Sequence, residues 1–109
     1  MSKRQHLSER EHPRSIIVVG RRWFQHGSGN TYHTASIYVD GKFVKHTERA
    51  YGYGDQYLQT AQDLLVSEGY LPQPKRFASG AVELLRRQCE ALGIIFDHEV
   101  VRVSRRKDL

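Results

Sequence analysis

Apolar positions along this chain switch between strand spacing and helix spacing, and the switches divide it into elements. Ile16-Ile17-Val18-Val19 is a β-branched run that suits a buried strand, and it continues through Gly20 towards Trp23 and Phe24. Gly27-Ser28-Gly29-Asn30 then clusters turn formers, closing the first strand and opening a second over Tyr32 to Val39. Asp40-Gly41 follows at once. A type I′ turn needs positive φ at both central positions, so this dipeptide predicts a hairpin and a third strand from Lys42 to about Arg49. The turn sets a register: Val39 opposite Lys42, Ile37 opposite Val44, Ala35 opposite His46 and His33 opposite Glu48 on one face. Tyr38 with Phe43, Ser36 with Lys45, Thr34 with Thr47 and Tyr32 with Arg49 share the other.

The spacing then becomes helical. Tyr57, Leu58, Ala61, Leu64 and Leu65 form a stripe behind Asp55, whose carboxylate is placed to cap the first amides, and Gly69 is the expected end. Pro72 and Pro74 break the chain into a loop. A second helical pattern runs from Ser79, its cap, to Leu92, with Val82, Leu85, Cys89 and Leu92 on one face and Gly93 after it. Ile94-Ile95-Phe96 and Val100-Val101-Arg102-Val103 read as a last strand, broken near Asp97-His98. The order is β-β-β-α-α-β. Two helices need an apolar sheet face to lie on, and Ala35, Ile37 and Val44 supply it. The expected fold is α+β, an antiparallel sheet of about four strands with two helices on one face, forming a single domain over 15–103. Met1 to Arg14 is charged, contains Pro13 and lacks apolar periodicity, so it reads as a flexible basic arm; 104–109 reads as a basic tail.

With 109 residues the chain has the size of one ordinary domain with a modest core. A formal net charge of +5 moves the expected partner towards nucleic acid or an acidic protein surface. Cys89 is the sole cysteine, which excludes an intramolecular disulfide and a cysteine-cluster zinc site and fits a reducing cytoplasm. The N-terminal residues carry no apolar export segment and no apolar run is long enough to cross a bilayer, so no membrane association is expected.

If the helices cover the Ala35 and Ile37 side, the other side stays open, as antiparallel sheets allow. Trp23, Asn30, Tyr32, Tyr38, Phe43, Lys45, Arg49, Tyr51 and Tyr53 are then the candidate contacts for a nucleic acid or another partner. The cations would meet phosphates and the rings would stack on unpaired bases. No RNP-type, helix-turn-helix or finger motif accompanies them. The plain alternative is an exposed sheet face that simply carries such residues, or buries them in a homodimer. Tyr51-Gly52-Tyr53-Gly54 either forms part of a site or packs over the sheet edge as a tight connection. It lacks the lysine and hydroxyl of a phosphate-binding loop, and no cofactor is expected. In the expected register His33, Glu48 and the diagonal His46 meet, the makings of an acid–base pair or a metal site. Histidines so placed are mostly structural or solvated. No metal is therefore expected, and an enzyme using His33 and Glu48 ranks behind a non-enzymatic binding protein. Cys89 lies on an apolar stripe and reads as core.

Gly29-Asn30-Thr31-Tyr32-His33 and Tyr51-Gly52-Tyr53-Gly54-Asp55-Gln56-Tyr57-Leu58-Gln59-Thr60-Ala61 resemble segments of small uncharacterised bacteriophage proteins, over roughly Ser15 to Leu71. The resemblance implies a phage or prophage origin and a role inside the infected cell, and assigns no residue a role. Binding of an anionic macromolecule is the expected function, nucleic acid ahead of an acidic host protein; inhibition or modulation of a host complex is the competing reading.

Overall fold

A computed structural model describes residues 12–109. The expected basic arm lies outside the described residues as far as residue 11. Where the expected arm meets the domain, Arg14 N and Ser15 N both donate to Asp40 Oδ1, at 2.7 and 3.1 Å.

The first two strands run further than their apolar cores. β1 (Ser15–Gln25) and β2 (Asn30–Val39) pair antiparallel without interruption from Ile16–Val39 to Gln25–Asn30. Asp40 and Gly41, at φ 53° and 81°, turn the chain into β3 (Lys42–His46). The third strand does not continue to Arg49. It leaves the sheet after His46 and returns as the two-residue β4 (Ala50–Tyr51), paired with Tyr32 and His33. Helices α1 (Gln56–Ser67) and α2 (Leu85–Ala91) then lead to β5 (Ile95–Val103), unbroken at Asp97-His98. Across the sheet the order is β3-β2-β1-β5, with β4 also on β2. The class is α+β, as expected, with one correction: β5 runs parallel to β1, so the sheet is mixed. The connection through both helices returns the chain to the end of the sheet where β1 begins, and a strand entering there must run parallel to it.

The hairpin register also departs from expectation. Val39–Lys42 and Tyr38–Phe43 pair as the turn dictates, but the next pairs are Ile37–Lys45 and Ser36–His46. Val44 is an inserted residue, a β-bulge. The expected pairs Ile37–Val44, Ser36–Lys45, Ala35–His46 and His33–Glu48 therefore do not form. Thr47 ends the ladder instead: its amide donates to Ala35 O at 2.8 Å, and its Oγ1 accepts from Ala35 N at 2.9 Å.

The core lies between one sheet face and the helices. Ile16 and Val18 of β1 and Ala35 and Ile37 of β2 are buried with Tyr57, Ala61 and Leu65 of α1 and Leu85 and Cys89 of α2. Gly20 lets α1 approach, because a Cβ there would lie 2.4 Å from the Tyr57 ring. Gly69 follows α1 as expected, with Tyr70 N bonded to Leu65 O at 2.9 Å and Gly69 N to Val66 O at 3.1 Å. Asp55 occupies the N-cap position, but its φ of −95° and ψ of 17° are not the extended geometry that aims a cap, and its side chain makes no capping bond. The second helix starts five residues later than expected, with Leu84 rather than Ser79 at its N-cap position. Residues 75–83 fold back on themselves, with Phe77 N bonded to Ala81 O and Glu83 N to Lys75 O, both at 2.8 Å. Buried Gln62 ties this turn to both helices, its Nε2 donating to Glu83 O and to Gln88 Oε1 at 2.9 Å.

Candidate functional site

Strand alternation sends Ile17, Val19, Arg21 and Trp23 of β1, and Tyr32, Thr34, Ser36 and Tyr38 of β2, to the side without helices. Trp23 and Tyr32 are register partners with ring centroids 5.9 Å apart and planes at 27°. Tyr51, the partner of Tyr32 on its other flank, sets its ring 5.8 Å away at 72°. The Arg49 guanidinium lies 5.4 Å from the centre of the Tyr32 ring. An aromatic row thus crosses three strands, its central ring carries a cation, and its outer ring, Tyr51, is 64% exposed. The expected meeting of Tyr32 and Arg49 occurs, as a side-chain stack rather than a cross-strand pair.

Hydrogen bonds hold the row in place by joining the two glycine-aromatic segments. Gly52 N donates to Thr31 O at 2.9 Å. On the helix side, His33 Nδ1 donates to Gly52 O at 3.1 Å, and His33 Nε2 and Thr60 Oγ1 share a hydrogen bond at 2.7 Å. Gly52 has a φ of 149°, and a Cβ there would sit 2.8 Å from Gln56 Cβ and 3.1 Å from His33 Cε1. Only glycine fits between the histidine and the helix.

The expected His33–Glu48 acid–base pair is therefore not formed. His33 is 2% exposed beneath α1 and pairs with Ala50, Glu48 is exposed, and His46 shares a 2.7 Å hydrogen bond with Ser36 on the open face. The bulge separates them, since one inserted residue reverses which face each later side chain takes. It also moves Lys45, which stands opposite Ile37 on the helix-facing side rather than opposite Ser36. Tyr38 and Phe43 form the expected pair, with centroids 5.6 Å apart. Asn30 lies at the end of β2 beside the aromatic row. Tyr53 belongs to the opposite side, where it lines hollows with α1 and with Arg22.

Two further features shape the charge of this face. Arg21 projects from it and donates to Asp108 O at 3.2 Å, folding the tail that carries Arg105, Arg106 and Lys107 back towards the row. The tail is a 3-10 turn, Arg106–Asp108, steadied by an Arg105–Asp108 ion pair at 3.1 Å. Asp97 and Glu99 of β5, beside Ile17 and Val19, lie towards the other end. The face carries its cations at the Trp23–Tyr32–Tyr51 end, and Asp97 and Glu99 towards the other.

Beneath the opposite face, Tyr57 Oη and His98 Nδ1 share a 2.7 Å hydrogen bond. Burial, then the nearby Asp55 carboxylate, pushes the Tyr57 phenol up. Burial pushes the Cys89 thiol up to about 12, consistent with a core role. Among the described residues no group of three or more His, Cys, Asp or Glu side chains is placed to hold a metal, and no helix is long and apolar enough to cross a membrane. No protein-family model matches this chain, and neither does any of the curated proteins or solved structures compared with it.

Proposed function

We propose that this protein binds single-stranded nucleic acid on its helix-free sheet face. The observation that carries the reading is the Trp23–Tyr32–Tyr51 row with Arg49 stacked on its centre. Unpaired bases present π-faces of the size of these rings, and each base stacked on an aromatic side chain contributes roughly 1–3 kcal/mol, with little regard to base identity. Arg21, Arg49 and the folded-back tail supply cations along the same end, where phosphates of a strand crossing the row would run. The binding is non-enzymatic. The resemblance of both glycine-aromatic segments to bacteriophage proteins supports a role in an infected cell.

Fluorescence of Trp23, the only tryptophan, reports directly on the row. Titration with a short single-stranded oligonucleotide should quench it. The double change Tyr32→Ala with Tyr51→Ala should weaken binding by about two orders of magnitude, the loss of roughly 3 kcal/mol in stacking. Lys45→Ala should leave affinity within about twofold, because Lys45 lies off this face and contributes only long-range charge. Equal losses for Lys45→Ala and the double tyrosine change would argue for diffuse attraction and against the row.

A specific observation favours a second reading. At the far end of the same face Phe43 is 57% and Ile17 40% exposed, beside half-buried Tyr38, a patch suited to a protein partner or a second copy of the chain. Phe43→Ser would weaken such a complex and leave oligonucleotide binding intact.

A further inference from the structure

On the helix-bearing side of the sheet, ahead of the start of α1, a hollow of about 550 Å³ opens between the ends of β1 and β5 and the loop before the helix. Its polar walls are basic. Arg22 and Arg102 stand side by side as register partners of the parallel β1–β5 pair, with His26, Phe24, Thr31 and Tyr53 completing the lining, and no carboxylate among them. Both side chains thus rise from neighbouring strands about 4.8 Å apart and line one hollow whose lining holds no counter-charge. Arg22 is half-buried and oriented, its Nη1 donating to Gly54 O at 3.1 Å. The Arg102 side chain has no hydrogen-bond or ion-pair partner among the described residues. Two aromatic side chains, Phe24 at 43% and Tyr53 at 71% exposure, stand at the rim, and His26 sets its ring edge-on to Phe24 at 4.9 Å.

We infer that this hollow binds a nucleoside phosphomonoester. The planar forks of two arginines and an imidazole offer donors from several directions to the oxygens of a tetrahedral, doubly charged phosphate, which a flat carboxylate would use less fully. Phe24 and Tyr53 give the attached base a stacking surface. The volume is within the range of small-molecule sites. The same group occurs on a free mononucleotide and on the phosphorylated end of a strand. The site is separate from the aromatic row, being on the opposite side of the sheet, and does not depend on it.

Calorimetric titration of the full chain with adenosine monophosphate, adenosine and inorganic phosphate tests this inference. Adenosine monophosphate should bind at least about tenfold more tightly than either fragment, and Arg102→Ala and Tyr53→Ala should each weaken it about tenfold. Both side chains are exposed, and Arg102→Lys, which keeps the charge without the fork, should restore part of the loss and thereby exclude a folding defect. The Tyr32→Ala, Tyr51→Ala double change should leave this binding unaltered, so failure here and failure of the open-face reading are distinguishable. A terminally phosphorylated tetranucleotide and its unphosphorylated counterpart separate the sources. Tighter, Arg102-dependent binding of the phosphorylated strand than of the mononucleotide assigns the site to a strand end, and the reverse assigns it to free nucleotide. Adenosine monophosphate bound no better than inorganic phosphate, or bound equally well after Arg102→Ala, would overturn the inference.

Discussion

Gly20 shows how much a single position decides. The helix layer reaches the sheet because Tyr57 packs directly on a residue with no side chain, and a Cβ at 2.4 Å from its ring has nowhere to go, since that ring is 1% exposed. Gly20→Ala should therefore cost about 2–3 kcal/mol by overpacking, read as a lowered midpoint in urea unfolding. A change below about 0.5 kcal/mol would mean that α1 shifts freely, contrary to the packing described. Cys89 supplies a pH signature. Its folded-state pKa, raised to about 12 from an ordinary value of 9.0, means that the unfolded chain loses the thiol proton first. Stability from the buried neutral thiol is complete below about pH 9 and is lost as pH rises towards about 12. Urea midpoints should fall less steeply over this window in Cys89→Ala than in the wild type, with the Tyr57 phenol adding a slope of the same sign in both. An unchanged slope would place the thiol in contact with water.

At the scale of elements, what was legible in the sequence depended on whether neighbours along the chain decided the outcome. Asp40-Gly41 determines its own turn, and the α1 stripe determines its own buried face, so both are observed where expected. The bulge at Val44 is different, because the insertion is stabilised by Thr47 bonding to both backbone groups of Ala35 on another strand, and no local pattern marks that. Much of the site shifted with it: Lys45 left the open face, and His33 and Glu48 parted. The late start of α2 carried a local warning in Ser79-Gly80, a turn-forming pair placed where the helix was expected to begin. His33 was read as a candidate for chemistry, yet it links Gly52 to Thr60 and so joins β4, the loop and α1. His33→Phe removes both bonds and leaves Gly52 O without its imidazole donor, at an expected cost of about 2–3 kcal/mol. Hydrogen exchange at the Gly52 amide, bonded to Thr31 O, should then accelerate relative to amides in the centre of β1. Equal acceleration at both sites would mean that the loop is not a separately held unit.

For the whole molecule, the mixed sheet leaves one broad face without helices, and charge divides that face. Rings and cations gather at the Trp23 end, while Asp97 and Glu99 lie towards the other. A strand of nucleic acid placed on the aromatic row would pass Arg49 and Arg21 and keep clear of the carboxylates, so binding should combine stacking with counterion release. These two contributions respond differently to salt. The most direct test of the central claim is a Trp23 fluorescence titration with a single-stranded oligonucleotide at low and at physiological ionic strength. The account predicts quenching at both, an affinity that falls steeply between them, and a salt slope reduced by about one unit in Arg49→Ala. Oligonucleotide binding that leaves Trp23 emission unchanged, or an affinity indifferent to salt, would contradict it.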